Sequence, residues 1–176
     1  METLDEEAVR EAQEIALRAL ERTRRTRREL ERRLKERGID VIAAREALNR
    51  LERVGLIDDL EYARAFLREK LGRRAVGARM LRGQLVARGV SGAMADQVMA
   101  ELASTEDAGG ASNRTELERA QRAAMQFARR YAGLDPRTRR QRLSAALVRR
   151  GFDYDTVSEA LRALEGSTPK EGGHEG

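Results

Sequence analysis

A glycine-centred pattern that recurs three times limits this chain to few folds. The pattern is Leu-x3-Leu-x2-Arg-Gly followed by an apolar residue, and its copies run through Gly38, Gly89 and Gly151. Beyond each glycine, apolar residues recur with a spacing of three and four residues, which is one face of an α-helix. Glycine adopts the left-handed conformation that ends many helices. The pattern therefore predicts one helix before each glycine and another after it.

A further apolar stripe precedes each copy and predicts one more helix per repeat. Three start signals agree with this scheme: the capping boxes of Thr26 with Glu29 and of Asp58 with Glu61, and the pair Asp135–Pro136. The chain is thus predicted to be all-α, with three tandem three-helix repeats that form an elongated, curved helical array. The predicted helices cover residues 5–22, 26–37, 40–54, 58–72, 76–88, 91–103, 113–132, 136–150 and 154–165.

Composition divides the chain between and after the repeats. A stretch rich in serine, threonine and glycine predicts a flexible linker, and the glycine-rich end predicts a disordered tail. Repeats of about 50 residues with few large side chains need neighbours to bury their apolar faces. The predicted divisions are repeat 1 at 1–55, repeat 2 at 56–103, a linker at 104–112, repeat 3 at 113–165 and a tail at 166–176.

The charge is high and is carried by arginine. Charged residues make up 37% of the chain, the net charge is +5, and all but three of the 35 basic residues are arginines. A basic protein favours an anionic partner, although charge alone does not distinguish DNA phosphates from acidic protein surfaces. The candidate binding residues are Arg24, Arg25, Arg28, Arg32, Arg33, Lys35, Arg79, Arg82, Arg137, Arg139, Arg140 and Arg142.

These residues gather around the second helix of each repeat. For any single arginine, a solvated helix face with scattered ion pairs is the better interpretation. For the whole set, recurrence at equivalent repeat positions favours binding. The six aromatic residues fall mostly on apolar stripes, so core packing is preferred to stacking on bases. They are Tyr62, Phe66, Phe127, Tyr131, Phe152 and Tyr154.

No catalytic, cofactor or metal site is predicted. The chain has no cysteine, and its one histidine, His174, lies in the predicted tail. Gly72 and Gly77 have the spacing of a phosphate loop, but the lysine and the sheet context are missing. The carboxylate pair Asp58–Asp59 lies at a predicted helix start, where N-capping accounts for it. The chain is therefore expected not to be an enzyme.

The location expected from the sequence is the cytoplasm. The longest apolar runs are far shorter than a membrane span. The first five residues are acidic and include no apolar segment of the kind that directs secretion.

Taken together, the motifs resemble the RecX family of bacterial regulators of the RecA recombinase. The resemblance spans roughly residues 8 to 165, although Ala78 stands where a proline is usual and the linker before the third repeat is long. The stretch from Arg53 to Ala63, with its acidic pair followed by an aromatic residue and alanine, is the most specific part. The other matching segments are 16–20, 24–30, 34–38 and 147–152.

The resemblance implies a non-enzymatic modulator without a cofactor. Members of the family look like curved helical arrays that lie in the groove of the RecA–DNA filament and restrain ATP hydrolysis, strand exchange and co-protease action in recombination and DNA repair. The implied partners are the RecA filament, single-stranded DNA and also double-stranded DNA, and a monomer is expected. Two alternatives remain open: a stand-alone basic DNA-binding protein and a purely structural helical adaptor.

Overall fold

The structure, a computed structural model, describes residues 5–73, 75–107 and 115–166. Within these ranges every regular element is a helix, which confirms the all-α prediction, and no helix is both long and apolar enough to cross a membrane. The helices are α1 (Glu6–Arg22), α2 (Arg27–Glu36), α3 (Val41–Arg53), α4 (Asp59–Arg73), α5 (Ala78–Ala87), α6 (Gly92–Asp107), α7 (Glu116–Arg130), α8 (Pro136–Arg149) and α9 (Tyr154–Gly166).

The predicted start signals cap the helices. The Thr26 hydroxyl accepts a hydrogen bond from the Glu29 N–H at 3.2 Å, and the Glu29 carboxylate accepts one from the Thr26 N–H at 3.3 Å. Asp135 precedes Pro136 and accepts from the Thr138 N–H at 3.0 Å. Each cap occupies backbone donors that have no partner inside the helix. The positions of these helix starts are thereby confirmed.

The three repeat glycines end helices as predicted. Gly38, Gly89 and Gly151 have φ angles of +76°, +100° and +86°. The residue after each glycine donates its N–H back to the second leucine of the motif, for example Val90 to the Leu85 carbonyl at 3.2 Å. This is the Schellman arrangement, which satisfies carbonyl groups at the end of a helix.

Two boundaries differ from the prediction by three residues or more. Helix α6 continues to Asp107, four residues into the predicted linker 104–112. The Ser104 hydroxyl donates to the Ala100 carbonyl at 3.0 Å, so its polar group is satisfied within the helix. Helix α7 starts at Glu116 rather than residue 113, because Thr115 forms a capping box. Residues 108–112 of the linker and 167–176 of the tail, with His174, lie outside the described residues.

The chain packs into two compact units. Unit 1 consists of Met1–Glu69 and Gln84–Val98, and unit 2 consists of Lys70–Gly83 and Met99–Gly176. The residues of the predicted second repeat are shared between them. The repeat boundaries, which follow sequence similarity rather than packing, stay a prediction.

Each unit has its own apolar core. In unit 1, α1 packs against α3 and the leucines of α2 fill the space beside them, with Leu30, Leu34 and Leu48 fully buried. In unit 2, α7 packs against α9, and Leu147 and Phe152 are fully buried among alanines of α7. Alanine allows close helix contact, so these cores depend on complementary packing.

Candidate functional site

The outer face of α2 carries an exposed group of basic residues, Arg28, Arg32 and Lys35, called here the α2 surface. Arg32 lies 4.0 Å from Glu36, and both side chains are more than two thirds exposed. Arg28 and Lys35 have no ion pair within the described part of the chain. The α2 surface thus keeps charge available for a partner.

The other three candidates in this region are partly engaged by the fold. Arg24 lies 3.6 Å from Glu61, which also binds Arg68. Arg25 and Arg33 are half-buried, and the Nε atom of each is shielded from solvent without a hydrogen-bond partner. These residues flank the α2 surface, but their charges are less available to a partner than those of Arg28 and Lys35.

The start of α2 is held by the end of α5, within unit 1. The Thr26 side chain is fully buried, and its hydroxyl donates to the Arg88 carbonyl at 2.6 Å. A Cβ atom at Gly89 would lie 2.4 Å from the Arg28 Cβ and 2.9 Å from its Cδ. The stem of Arg28 therefore packs on the glycine turn while the residue as a whole stays exposed.

Arg27 adds a second anchor at the same place. Its N–H donates to the Asp59 Oδ1 at 2.8 Å. Its guanidinium contacts Asn49, Glu31 and Glu52 at distances of 2.8, 3.0 and 2.5 Å. The position of the α2 surface is thus fixed by side chains of α3 and α4 and by the backbone carbonyl of Arg88.

The two carboxylates of the Asp58–Asp59 pair, which was predicted to cap a helix, cap two different helices. Asp58 accepts from the Glu61 N–H at 2.8 Å and caps its own helix, α4. Asp59 caps α2 instead, and partial burial raises the pKa of its carboxyl above the ordinary value of 3.8. Capping is confirmed for Asp58, whereas the link from Asp59 to α2 was not predicted.

The arginine before the glycine packs against an aromatic ring in two of the three repeats. The Arg88 guanidinium lies 5.0 Å from the Phe66 ring centre and donates to the Tyr62 hydroxyl at 3.3 Å. The Arg150 guanidinium lies 4.6 Å from the Phe127 ring centre. Both are cation–π contacts, which give these two arginines a structural role.

Unit 2 repeats the docking of a helix start on a glycine turn. The Gly77 N–H donates to the Arg150 carbonyl at 2.9 Å, and a Cβ at Gly77 would lie 2.3 Å from the Gly151 carbonyl carbon. The Ala78 N–H, which a proline would lack, donates to Glu116 at 2.8 Å. The glycine that mimics a phosphate loop is thus required by packing. Two predicted site residues on α5, Arg79 and Arg82, are exposed.

The four candidates on α8 do not form one uniform surface. Arg137, Arg140 and Arg142 are exposed, and Arg139 is half-buried. Arg140 forms an ion pair with Glu165 of α9. Two of these residues, Arg137 and Arg140, line an open groove that the sequence did not indicate.

This groove, called here the α8 groove, also changes one prediction about the aromatic residues. It has a volume of about 690 Å³, and its other lining residues include Val148, Arg149 and Tyr154. Tyr154 was predicted to pack in the core, but its side chain is 73% exposed, because it is the first residue of α9. The prediction is wrong for Tyr154. It is confirmed for Phe66 and Phe152, which are buried.

The arrangement offers cationic surfaces rather than reactive groups. Among the described residues, no group of three or more histidine and acidic side chains is placed to hold a metal ion. The exposed arginines can form paired hydrogen bonds with phosphate or carboxylate groups.

Comparison with known proteins identifies the family. Residues 115–161 match the family model described as RecX, third three-helix domain, and residues 58–99 match the second three-helix domain. The regulatory protein RecX of Streptomyces coelicolor is 34% identical over 164 residues, which cover 93% of this chain and 81% of that protein. The regulatory protein RecX of Halorhodospira halophila is 35% identical over 161 residues, covering 90% and 89%.

A solved structure shares the fold. The crystal structure of RecX from Lactobacillus salivarius superimposes with a TM-score of 0.79 at 22% identity, covering 92% of this chain and 99% of that one. At that identity the likeness concerns the fold, and the family is shown by the sequence relatives. The chain belongs to the RecX family of regulatory proteins.

Proposed function

We propose that this protein is a non-enzymatic, cytoplasmic regulator that binds the RecA–DNA filament as a monomer and inhibits its ATPase, strand-exchange and co-protease activities. The observation that carries the proposal is the α2 surface, where exposed basic side chains stand on a helix whose start is fixed by Thr26 and Arg27. Membership of the RecX family supports the choice of RecA as the partner.

Inhibition would arise from several weak contacts acting together. A single exposed ion pair contributes about 0.2 to 1 kcal/mol, so no one arginine is sufficient. Contacts made by one molecule at several places along a filament add up through effective concentration. The fixed base of α2 lowers the entropy cost of each contact, since the backbone of the surface is already ordered.

The direct test is ATP hydrolysis by the cognate RecA on single-stranded DNA, titrated with this protein at moderate salt. The DNA must be saturating, so that competition for free DNA does not imitate inhibition. We expect turnover to fall at protein amounts well below those of RecA. Unchanged turnover, with binding to bare DNA intact, would reject the proposal and favour a stand-alone DNA-binding protein.

The first variant should reverse charge on the α2 surface without disturbing its anchor. Arg32→Glu with Lys35→Glu meets this condition, because both side chains are exposed and the anchor is formed by Thr26, Arg27 and the stem of Arg28. Arg25 and Arg28 are poorer choices, since Arg25 is half-buried and the stem of Arg28 packs on Gly89. We expect the concentration for half-maximal inhibition to rise about 5- to 10-fold.

The matched control is Arg10→Glu with Arg18→Glu, two exposed positions on α1 with the same change in net charge. This pair should leave inhibition nearly unchanged. Equal losses in both variants would mean that only overall charge matters, and the α2 surface would then have no special role.

A further inference from the structure

The α8 groove combines features that the α2 surface lacks. It is an open concavity of about 690 Å³ formed by one side of α8 and the first residue of α9. That volume lies in the range of small-ligand sites, which is enough for one or two nucleotides. Tyr154 lines the groove and is the most exposed of the large apolar and aromatic side chains in the described ranges.

The groove lining is divided between charge and an apolar surface. Arg137 and Arg149 line the groove and have no ion pair elsewhere in the described ranges, whereas Arg140 is held by Glu165. Ala145 and Val148 also line the groove and supply apolar surface. An exposed ring and two unpaired guanidinium groups line the same groove, which matches a strand that carries both bases and phosphates.

We propose that the α8 groove is a subsite for single-stranded nucleic acid, in which one base stacks on Tyr154 and phosphates of the same strand bind Arg137 and Arg149. The inference deepens the proposed function, and it rests on that function only for the presence of such a strand in the partner. It assigns Tyr154 as the residue that selects single strands, because the bases of a duplex are already stacked and paired.

The chemistry favours this ligand over an acidic protein segment. Carboxylates would satisfy the arginines but would leave Tyr154 without a contact that uses its ring. A nucleotide uses both, since every base has a flat face and every linkage carries a negative charge. The experiments must therefore distinguish binding of a nucleic-acid strand from binding of an acidic protein segment.

The first experiment uses a single fluorescent reporter in the full chain. The protein has no tryptophan, so Tyr154→Trp introduces one indole at the groove. The probes are a 20-nucleotide oligothymidine, an abasic strand of equal length and a duplex of equal length, without RecA. We expect strong quenching by oligothymidine and little quenching by the other two, since only the first offers an unstacked base.

The control reporter is Met125→Trp, at a 56% exposed position on α7 that does not line the groove. It should respond weakly to all three probes. Equal quenching of both reporters, or no quenching of Tyr154→Trp by oligothymidine, would overturn the proposal.

The second experiment measures affinity for the same probes by anisotropy. Tyr154→Ala should weaken oligothymidine binding about 5- to 100-fold and change duplex and abasic binding less than about twofold, while Tyr154→Phe keeps its affinity. Arg137→Glu with Arg149→Glu should weaken binding of all three probes. The control is Arg129→Glu with Arg130→Glu, exposed positions on α7 with the same charge change.

Two results would reject the groove as a single-strand site. One is unchanged oligothymidine affinity in Tyr154→Ala; the other is loss confined to the arginine variant, which indicates a purely ionic surface suited to an acidic partner. RecA inhibition in the absence of any such binding would retain the proposed function and remove this inference. Strand binding in the α8 groove without RecA inhibition would retain this inference and reject the proposed function.

Discussion

At the scale of single residues, the three repeat glycines occupy the same position in the motif but have different structural roles. All three have positive φ, so each avoids a left-handed strain that costs other residues about 1 to 2 kcal/mol. Gly89 and Gly151 also allow another helix start to approach, whereas no atom outside its neighbours lies within 4 Å of a Cβ at Gly38. The first role is readable from the motif. The second depends on chain segments far away in sequence.

This difference predicts unequal effects of the same substitution. In Gly151→Ala the new Cβ would lie 2.4 Å from the Met80 N and 2.5 Å from its Cβ. The strain and the overpacking together should lower stability by about 2 to 5 kcal/mol. Gly38→Ala should cost only about 1 to 2 kcal/mol, since it meets no neighbour. Urea unfolding followed by circular dichroism measures both, and equal losses would contradict the close approach at Gly151.

At the scale of elements, the helix boundaries were largely predictable because caps and glycine stops are local signals. Thr26 and Asp135 predicted two helix starts, and the repeat glycines predicted three helix ends, each to within a residue. Long-range links were not predictable: the bond from Thr26 to the Arg88 carbonyl spans 62 positions. The site was predicted only in part for the same reason. Tyr154 continued an apolar spacing, but its place at the first turn of α9 leaves it outside the core.

The α2 anchor predicts an unusual pH response at Asp59. Burial raises its pKa, so between 3.8 and the raised value the folded state holds a proton that the unfolded state has lost. Stability from this group therefore increases as the pH falls through that window. Asp59→Asn keeps the acceptor for the Arg27 N–H and removes the buried charge. We expect a higher melting temperature than that of the unsubstituted protein at pH 7, with the gap closing towards pH 4.

Asp40 supplies the control of opposite sign. The Ala43 and Ile42 N–H groups lower the pKa of its carboxyl below the ordinary value of 3.8. Its contribution is present above that value and is lost as the pH falls through the lowered pKa. Asp40→Asn should thus flatten the acid end of the melting profile. If the melting temperature of Asp59→Asn depended on pH in the same way as that of Asp40→Asn, the claim that burial raises the pKa of Asp59 would be rejected.

At the scale of the whole molecule, the two compact units are interleaved in sequence. Residues 70–83 belong with 99–176, and residues 84–98 belong with 1–69. The amide groups at the start of α5 find their acceptors in Arg150, Gly151 and Glu116. The periodicity of the repeats gives no sign of this sharing, because it records similarity between segments rather than contact.

Removing α7, α8 and α9 should therefore leave the amide groups at the start of α5 without their hydrogen-bond acceptors. In a chain ending at Asp107, the Gly77 and Arg79 amides lose the Arg150 and Gly151 carbonyls and should exchange with deuterium much faster. The Arg27 amide should keep its protection, because its acceptor, Asp59, remains. Hydrogen exchange measured by NMR makes the comparison. Retained protection at Gly77 in the shortened chain would contradict this view.

The interleaving also separates the order of synthesis from the order of packing. As the chain leaves the ribosome, residues 1–98 complete unit 1 before α7 exists. Residues 70–83 emerge earlier than 84–98 but must wait for their acceptors, which are among the last segments to be made. During that interval the segments that flank the start of α5 in sequence are already packed in unit 1, while its own hydrogen-bond acceptors have not been made. Residues 70–83 are therefore the segment whose packing surface stays incomplete during synthesis. A chaperone could bind there, and a slower ribosome would keep the segment exposed for longer.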